Sequence, residues 1–177
     1  MKTLTKTKWL VDSNHSEVQF KVKHLMISNI SGTFKIFRGD IESEDEDFNE
    51  AEINFEIDAE SIDTNQQERD KHLKSPLFLD VQKFPKITFQ GLLQKTGDKS
   101  ILNGKLTVGA VKRSIKMDVE YTGTGKGRFG DTRAGFELNG NLNRKDFGIN
   151  SALLTESGNL VVGEEVKLHM DIQLIKQ

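Results

Sequence analysis

The chain has 177 residues, a length that suits one domain and lets it bury roughly two thirds of its surface. A net charge of −2 argues against a nucleic-acid partner, which needs a basic face, and the lack of cysteine excludes disulfides, thiolate nucleophiles and cysteine-based zinc sites. Charged residues make up 29% against 35% hydrophobic, too little apolar material for a thick core but enough for a single layer of sheet closed on itself.

The N-terminal stretch MKTLTKTKWLVD is basic but has no apolar run long enough for a signal peptide, and no later stretch approaches a membrane-spanning length. The sequence as it stands reads as soluble and cytoplasmic; removal of an export signal would make it periplasmic. Trp9 to Asp12 forms a short strand ended by Ser13 and Asn14. HSEVQFKVKH then alternates, with Val18, Phe20 and Val22 on one face and Glu17, Gln19, Lys21 and Lys23 on the other. Period two with one polar face marks an antiparallel strand that is wet on one side. His24 ends the inward register, and Asn29 to Gly32 reads as the turn.

In SGTFKIFRGDI the apolar phase starts with Phe34 and Ile36 and shifts to Phe37 and Ile41, which suggests a bulge within one strand. Glu42 to Glu50 is acidic and lacks the glycine and spaced ligands of a calcium loop, so it reads as a solvated hairpin end. AEINFEID resumes alternation through Ile53, Phe55 and Ile57.

Ser61 to Phe89 breaks that rhythm. Thr64 and Gln67 have the spacing of a capping box, so a short polar helix should run through Arg69, Asp70, His72 and Leu73. Ser75-Pro76 reads as a second helix start. Leu77, Phe78, Leu79, Val81 and Phe84 follow as an apolar, lid-like cluster. Phe84-Pro85 forces an extended chain, and KITFQ, with Phe89, returns to strand.

Further strands follow in KITFQGLLQ, ILNGKLTV and VKRSIKMDVEYTG, the last with Ile115, Met117, Val119 and Tyr121 on one face. GTGKGRFGD lacks the GK[ST] and the helix of a phosphate loop and reads as a connection. TRAGFELNGNLNR supplies Ala134, Phe136, Leu138 and Leu142. After the long excursion NRKDFGINSALLTESGNLVVG, Val166, Leu168, Met170, Ile172 and Leu174 face inward along the final strand. The pattern predicts a mainly β domain over residues 1–177, a closed antiparallel barrel of about eight strands with one or two short helices around 64–80. Such a barrel encloses a space just wide enough for one slender ligand.

Candidate chemistry is sparse. His15, His24, His72 and His169 lack metal-ligand spacing, so no metal is expected. Asp70 and His72, two apart on a helix, point to different faces, which counts against their acting as an acid–base pair. Arg69 and Asp70 are expected to anchor the helix to the rim, with a head-group contact as the other role open to Arg69. In NRKDFG a turn with Arg144 and Asp146 hydrogen-bonded across it is expected, although an inward Arg144 could meet an anionic head group.

SIDTNQQERDKHLKSPLFLDVQKFPKITF resembles the signature segment of the YceI-like family of polyisoprenoid-binding proteins. The resemblance extends to WLVDSNHSEVQFKVKHLMISNISGTFKIFRGDI, to GKLTVGAVK and to NRKDFGI, with Val111 where the family usually has Thr. It implies a lipocalin-like barrel around a long isoprenoid or similar chain, and it allows a homodimer. The expected function is binding, storage or transport of a polyisoprenoid, an isoprenoid quinone or a fatty-acyl-type chain, without catalysis, cofactor or metal. The alternative is an isomerase or cyclase acting on an enclosed lipid through His24 or His72. Candidate ligand contacts are Phe20, Val22, His24, Phe34, Ile36 and Phe55 in the first half, and Leu77 and Phe78 in the lid. Phe89, Met117, Val119, Phe136, Leu138 and Met170 complete them, with Arg69 and Arg144 as candidate head-group contacts.

Overall fold

In a computed structural model describing residues 6–44, 47–150 and 162–177, the alternating stretches become strands of one antiparallel sheet. Among these residues the strands are β1 Thr7–Val11, β2 Glu17–His24, β3 Ser28–Phe34, β4 Phe37–Ser43, β5 Ala51–Asp58 and β6 Ile62–Asp63. After helix α1, Gln67–Leu73, come β7 Lys86–Thr96, β8 Lys99–Val108, β9 Val111–Lys126, β10 Thr132–Asn143 and β11 Val162–Lys176. Eight of them, in the order β1-β4-β5-β7-β8-β9-β10-β11, close into a barrel because β1 also pairs with β11.

The closure has a simple origin. One edge of β11 is shared by β1, with Val11 opposite Leu174, and by β2, from Glu17 opposite Asp171 to His24 opposite Val162. Between them the chain kinks through a 3-10 turn at Ser13–His15, where the Asp12 carboxylate accepts from Asn14 N and from His15 Nδ1. β1 then leads to β4, whereas β2 carries β3 and β6 outward from the same edge.

Period two sets the faces as the sequence predicts. Trp9, Val18, Ile57, Leu93, Leu102, Met117, Ala134 and Leu174 are buried inside, and charged residues alternate with them on the outer wall. Inward phenylalanines lie over glycines of their own or the neighbouring strand. Phe20 stands opposite Gly32, and Phe89 covers the directly paired Gly91 and Gly104. A Cβ at Gly91 would lie 2.6 Å from Phe89 Cζ, so the absent side chains are the space the rings occupy.

Four expectations are corrected. The turn between β2 and β3 is at Leu25 to Ile27, with Leu25 and Met26 at φ 53° and 60°, and Gly32 is instead a strand residue beneath Phe20. The phase shift near Ile36 is a break between two strands, where Ile36 N donates to Ser61 Oγ and Asp58 N donates to Ile36 O. Helix α1 is capped by Gln66, whose side chain accepts from Arg69 N; Thr64 is drawn away because it bonds Asp70 and Arg69. Ser75-Pro76 begins turns, not a second helix, with Ser75 Oγ donating to His72 O. Residues 151–161 of the long excursion and 45–46 of the acidic stretch lie outside the described residues.

Candidate ligand cavity

The strand ends sort into two rims. At one rim β5 stops, β7 begins, β8 turns into β9, β10 ends and β11 starts. The segment from α1 to Phe84 lies across it and sends Leu73, Phe78 and Leu79 into the interior. The opposite rim is floored by Phe48, which reaches in from the β4–β5 connection to meet Trp9 and Phe136, each at a ring-centroid distance of 5.0 Å. The acidic stretch therefore carries a structural plug, and the lone phenylalanine within ESEDEDFNE was the signal of it.

Between lid and floor lies a cavity of about 250 Å³. Its lining includes Val162 and Leu174 of β11, which, allowing for the register shift between Val162 and Val166, at about 3.3 Å per residue and a tilt near 40° corresponds to a depth of roughly 25 Å. Among the described residues the lining is apolar except at Gln19, whose strand position turns its side chain outward, and at Arg144.

Phe20, Val22, Phe34, Phe55, Phe78, Phe89, Met117, Val119, Phe136, Leu138 and Met170 all lie on this lining, as does Arg144. Four candidates do not: Ile36, Leu77, His24 and Arg69. Ile36 is 57% exposed in the link between β3 and β4, and Leu77 is 59% exposed on the lid's outer side. His24 is half-buried at the end of β2, opposite Ser28 and Val162, off the lining. Strand phase could not find Phe147 and Ile149, which line the cavity from beyond the end of β10.

Arg69 also stays off the lining. Its Nε and Nη2 donate to Thr64 Oγ1 at 2.8 Å and Thr64 O at 2.6 Å, and Asp70 Oδ1 accepts from Thr64 N at 2.9 Å. The two residues bind α1 to the buried Thr64, the anchoring role expected of them. Asp70 therefore faces Thr64, while His72 meets the Phe78 ring edge-on at 5.0 Å.

Arg144 is the polar feature of the cavity. β10 places Phe136, Leu138 and Leu142 inward, and Arg144 continues that phase into a 3-10 turn, Arg144–Phe147. Asn143 opens the turn by accepting from Lys145 N, and Gly148 closes it at φ 77°, a left-handed position that favours glycine. Arg144 is only 4% exposed, and its guanidinium donates to three carbonyls: Nε to Gly163 O, Nη1 to Ile149 O and Nη2 to Val162 O, at 2.9, 2.7 and 3.2 Å. The expected bond to Asp146 is absent; that residue offers its carbonyl to Arg113 Nε. Among the described residues no carboxylate pairs with Arg144.

Comparison with known proteins agrees with this architecture. The model of the YceI-like domain matches residues 9–174. Protein YceI of Salmonella newport is 35% identical over 167 residues, covering 94% of this chain and 84% of its own. The crystal structure of the Campylobacter jejuni YceI protein superposes with a TM-score of 0.72 at 31% identity, covering 100% of this chain and 99% of its own. A polyisoprenoid-binding domain from Saccharophagus degradans, implicated in plant cell wall breakdown, has the same fold. Its TM-score is 0.72 at 13% identity, with 96% of this chain and 98% of that one covered.

Proposed function

We propose that this chain, which belongs to the YceI-like family, carries one long apolar lipid along its barrel axis, with the polar head at Arg144. The observation that carries the reading is a deep apolar cavity whose one inward charge is a buried arginine without a carboxylate partner among the described residues. The polyisoprenoid-binding domain of the same fold supports a prenyl chain as the ligand class.

The energetics suit a carrier. Each buried methylene contributes about 0.8 kcal/mol, so one five-carbon prenyl unit contributes roughly 4 kcal/mol gross. Association costs of about 4–15 kcal/mol are then offset by some one to four units without any ionic contact. The head is a matter of orientation. A guanidinium has five N–H groups, and three are committed to carbonyls, which leaves one on each terminal nitrogen for a ligand oxygen. Among the described residues Glu164 feels the Arg144 charge but is ion-paired with Lys145 at 2.7 Å, so the buried guanidinium still favours an anionic head. Binding and release break no covalent bond, and no side chain is assigned a catalytic role.

Mass spectrometry of an organic extract of the purified protein tests the reading, together with uptake of prenyl probes matched in length but with anionic or neutral heads. A co-purifying long-chain lipid, and a preference for the anionic probe that Arg144→Gln removes, are the expected results. A clean extract with no uptake of either probe refutes the carrier. Uptake without head preference refutes the role of Arg144 alone.

A further inference from the structure

The outer wall of the barrel carries an arrangement of side chains that the lipid cavity does not use. Strand register aligns four carboxylates in one row across four neighbouring strands: Glu120 opposite Glu137, Glu137 opposite Asp171, and Asp171 opposite Glu17. Like charges directly opposite one another destabilise a sheet. The next row places Asp118, Asn139, His169 and Gln19 side by side. Lys167 and Lys21, a further row along, form no ion pair with these groups among the described residues.

Within this patch the side chains of Glu137, His169 and Asp171, all half-buried, bring one ligand atom each to within 4.8 Å of one another. His169 is held by a residue outside the set. Its Nδ1 lies 2.7 Å from Asn139 Oδ1, an atom that only accepts, so Nδ1 carries the proton. Asp171 Oδ2, 3.3 Å from Nε2, likewise only accepts, so it is a proton on Nε2 that a bound cation would replace between these two atoms. A metal-binding histidine is usually held by an acceptor on its far nitrogen, commonly a carboxylate, a backbone carbonyl or water, and the Asn139 side-chain oxygen stands in that place here. Zinc bonds of about 2.0–2.2 Å set tetrahedral ligand atoms roughly 3.3–3.5 Å apart. The Nε2 to Oδ2 separation already has that value, and a Glu137 carboxylate oxygen lies within 4.8 Å of both.

We propose that Glu137, His169 and Asp171 bind a divalent first-row transition ion, zinc above the hard ions, on the outer face of β10 and β11. One imidazole with two carboxylates suits zinc, and ligands drawn from one face of a sheet leave the remaining positions to water or an outside ligand. On β11 the site alternates with Leu168, Met170 and Ile172, which face the cavity, so it is independent of the lipid reading.

The test is calorimetry of the untagged full chain, stripped with a chelator and titrated with zinc chloride or magnesium chloride, with the fold of each variant checked by circular dichroism. One zinc per chain is expected, with a raised melting temperature and no comparable magnesium binding. His169→Ala and Glu137→Gln abolish the uptake, and Asn139→Ala weakens it by about 10–100-fold, as loss of a supporting partner does. His15→Ala leaves it unchanged. Absence of zinc binding overturns the proposal. So does zinc uptake that survives His169→Ala, or magnesium bound as tightly as zinc, because either marks a diffuse acidic surface.

Discussion

Met117→Lys separates a hollow barrel from a filled one. Met117 is 4% exposed, stands opposite Leu102 and lies on the cavity lining next to Gly140, where a Cβ would come 2.9 Å from Met117 Cγ. A lysine there has no carboxylate beside it on an apolar wall. To stay neutral at pH 7 a side chain of ordinary pKa near 10.4 gives up about 4–5 kcal/mol, at 1.36 kcal/mol per pH unit. That is a large share of the 5–15 kcal/mol typical of a domain, so a tightly filled interior would unfold. This interior has an escape. A cavity of about 250 Å³ has room for on the order of ten waters, which can hydrate the ammonium in place of lipid.

The expected result for Met117→Lys is a folded protein with a lowered melting temperature and no lipid uptake. Lys116→Met, one residue away on the exposed face, should stay within about 0.5 kcal/mol of the parent and bind normally. The assay is a thermal melt beside a lipid titration on both variants. A folded Met117→Lys protein with normal lipid binding refutes the assignment of inside and outside on β9.

Three further outcomes follow from specific contacts. Gly104→Ala sets a Cβ against the Phe89 ring and Gln90 O, and should cost about 1–3 kcal/mol in denaturant unfolding while pushing Phe89 into the cavity and reducing lipid uptake. Gly125→Ala, with nothing within 4 Å, should do neither, and equal effects of the two would show that packing is not the cause. Burial pushes the Asp12 carboxyl up, but bonds from Arg133, His15 and Asn14 N outweigh it and hold the group below its ordinary value. The stability it contributes is present above the unfolded carboxyl value near pH 3.9 and is lost as pH falls through the lower folded value. Arg133→Gln should therefore lower the denaturant midpoint at pH 6, and that penalty should shrink toward pH 2.5. A penalty independent of pH would mean that the guanidinium acts through packing. Thr64→Val removes the Oγ1 that Arg69 and Asp70 share, leaves only their bonds to the backbone of residue 64, and should raise amide exchange in α1 by about tenfold for each 1.4 kcal/mol lost, with β9 still protected; uniform exchange across both elements would contradict a local anchor.

What the sequence discloses and what it hides divides along the range of the interactions. The inward faces of β2, β5, β9, β10 and β11 were legible because alternation is a local property, and a shift of one residue would have put Phe20 or Met170 in water. Arg144 was legible in principle too. It falls two residues after Leu142 in the phase of Phe136 and Leu138, so an inward cation could be inferred, but not the three carbonyls that hold it. Those come from Ile149, Val162 and Gly163, beyond the end of the strand. Ile36 and Leu77 fail for the opposite reason: each is an apolar residue in a link or turn, where no period fixes which way it points. The capping box at Thr64 matched the local rule, yet the bonds to Arg69 and Asp70 took that side chain, so Gln66 capped the helix. The cluster at His169 lies furthest from reach. His169 and Asp171 are two apart, an unremarkable strand spacing, and Glu137 joins them only because β10 and β11 run antiparallel in the one register that places Glu137 opposite Asp171. Absence of ligand spacing along a strand therefore says little about ligands, since half of any sheet-borne site comes from the neighbouring strand.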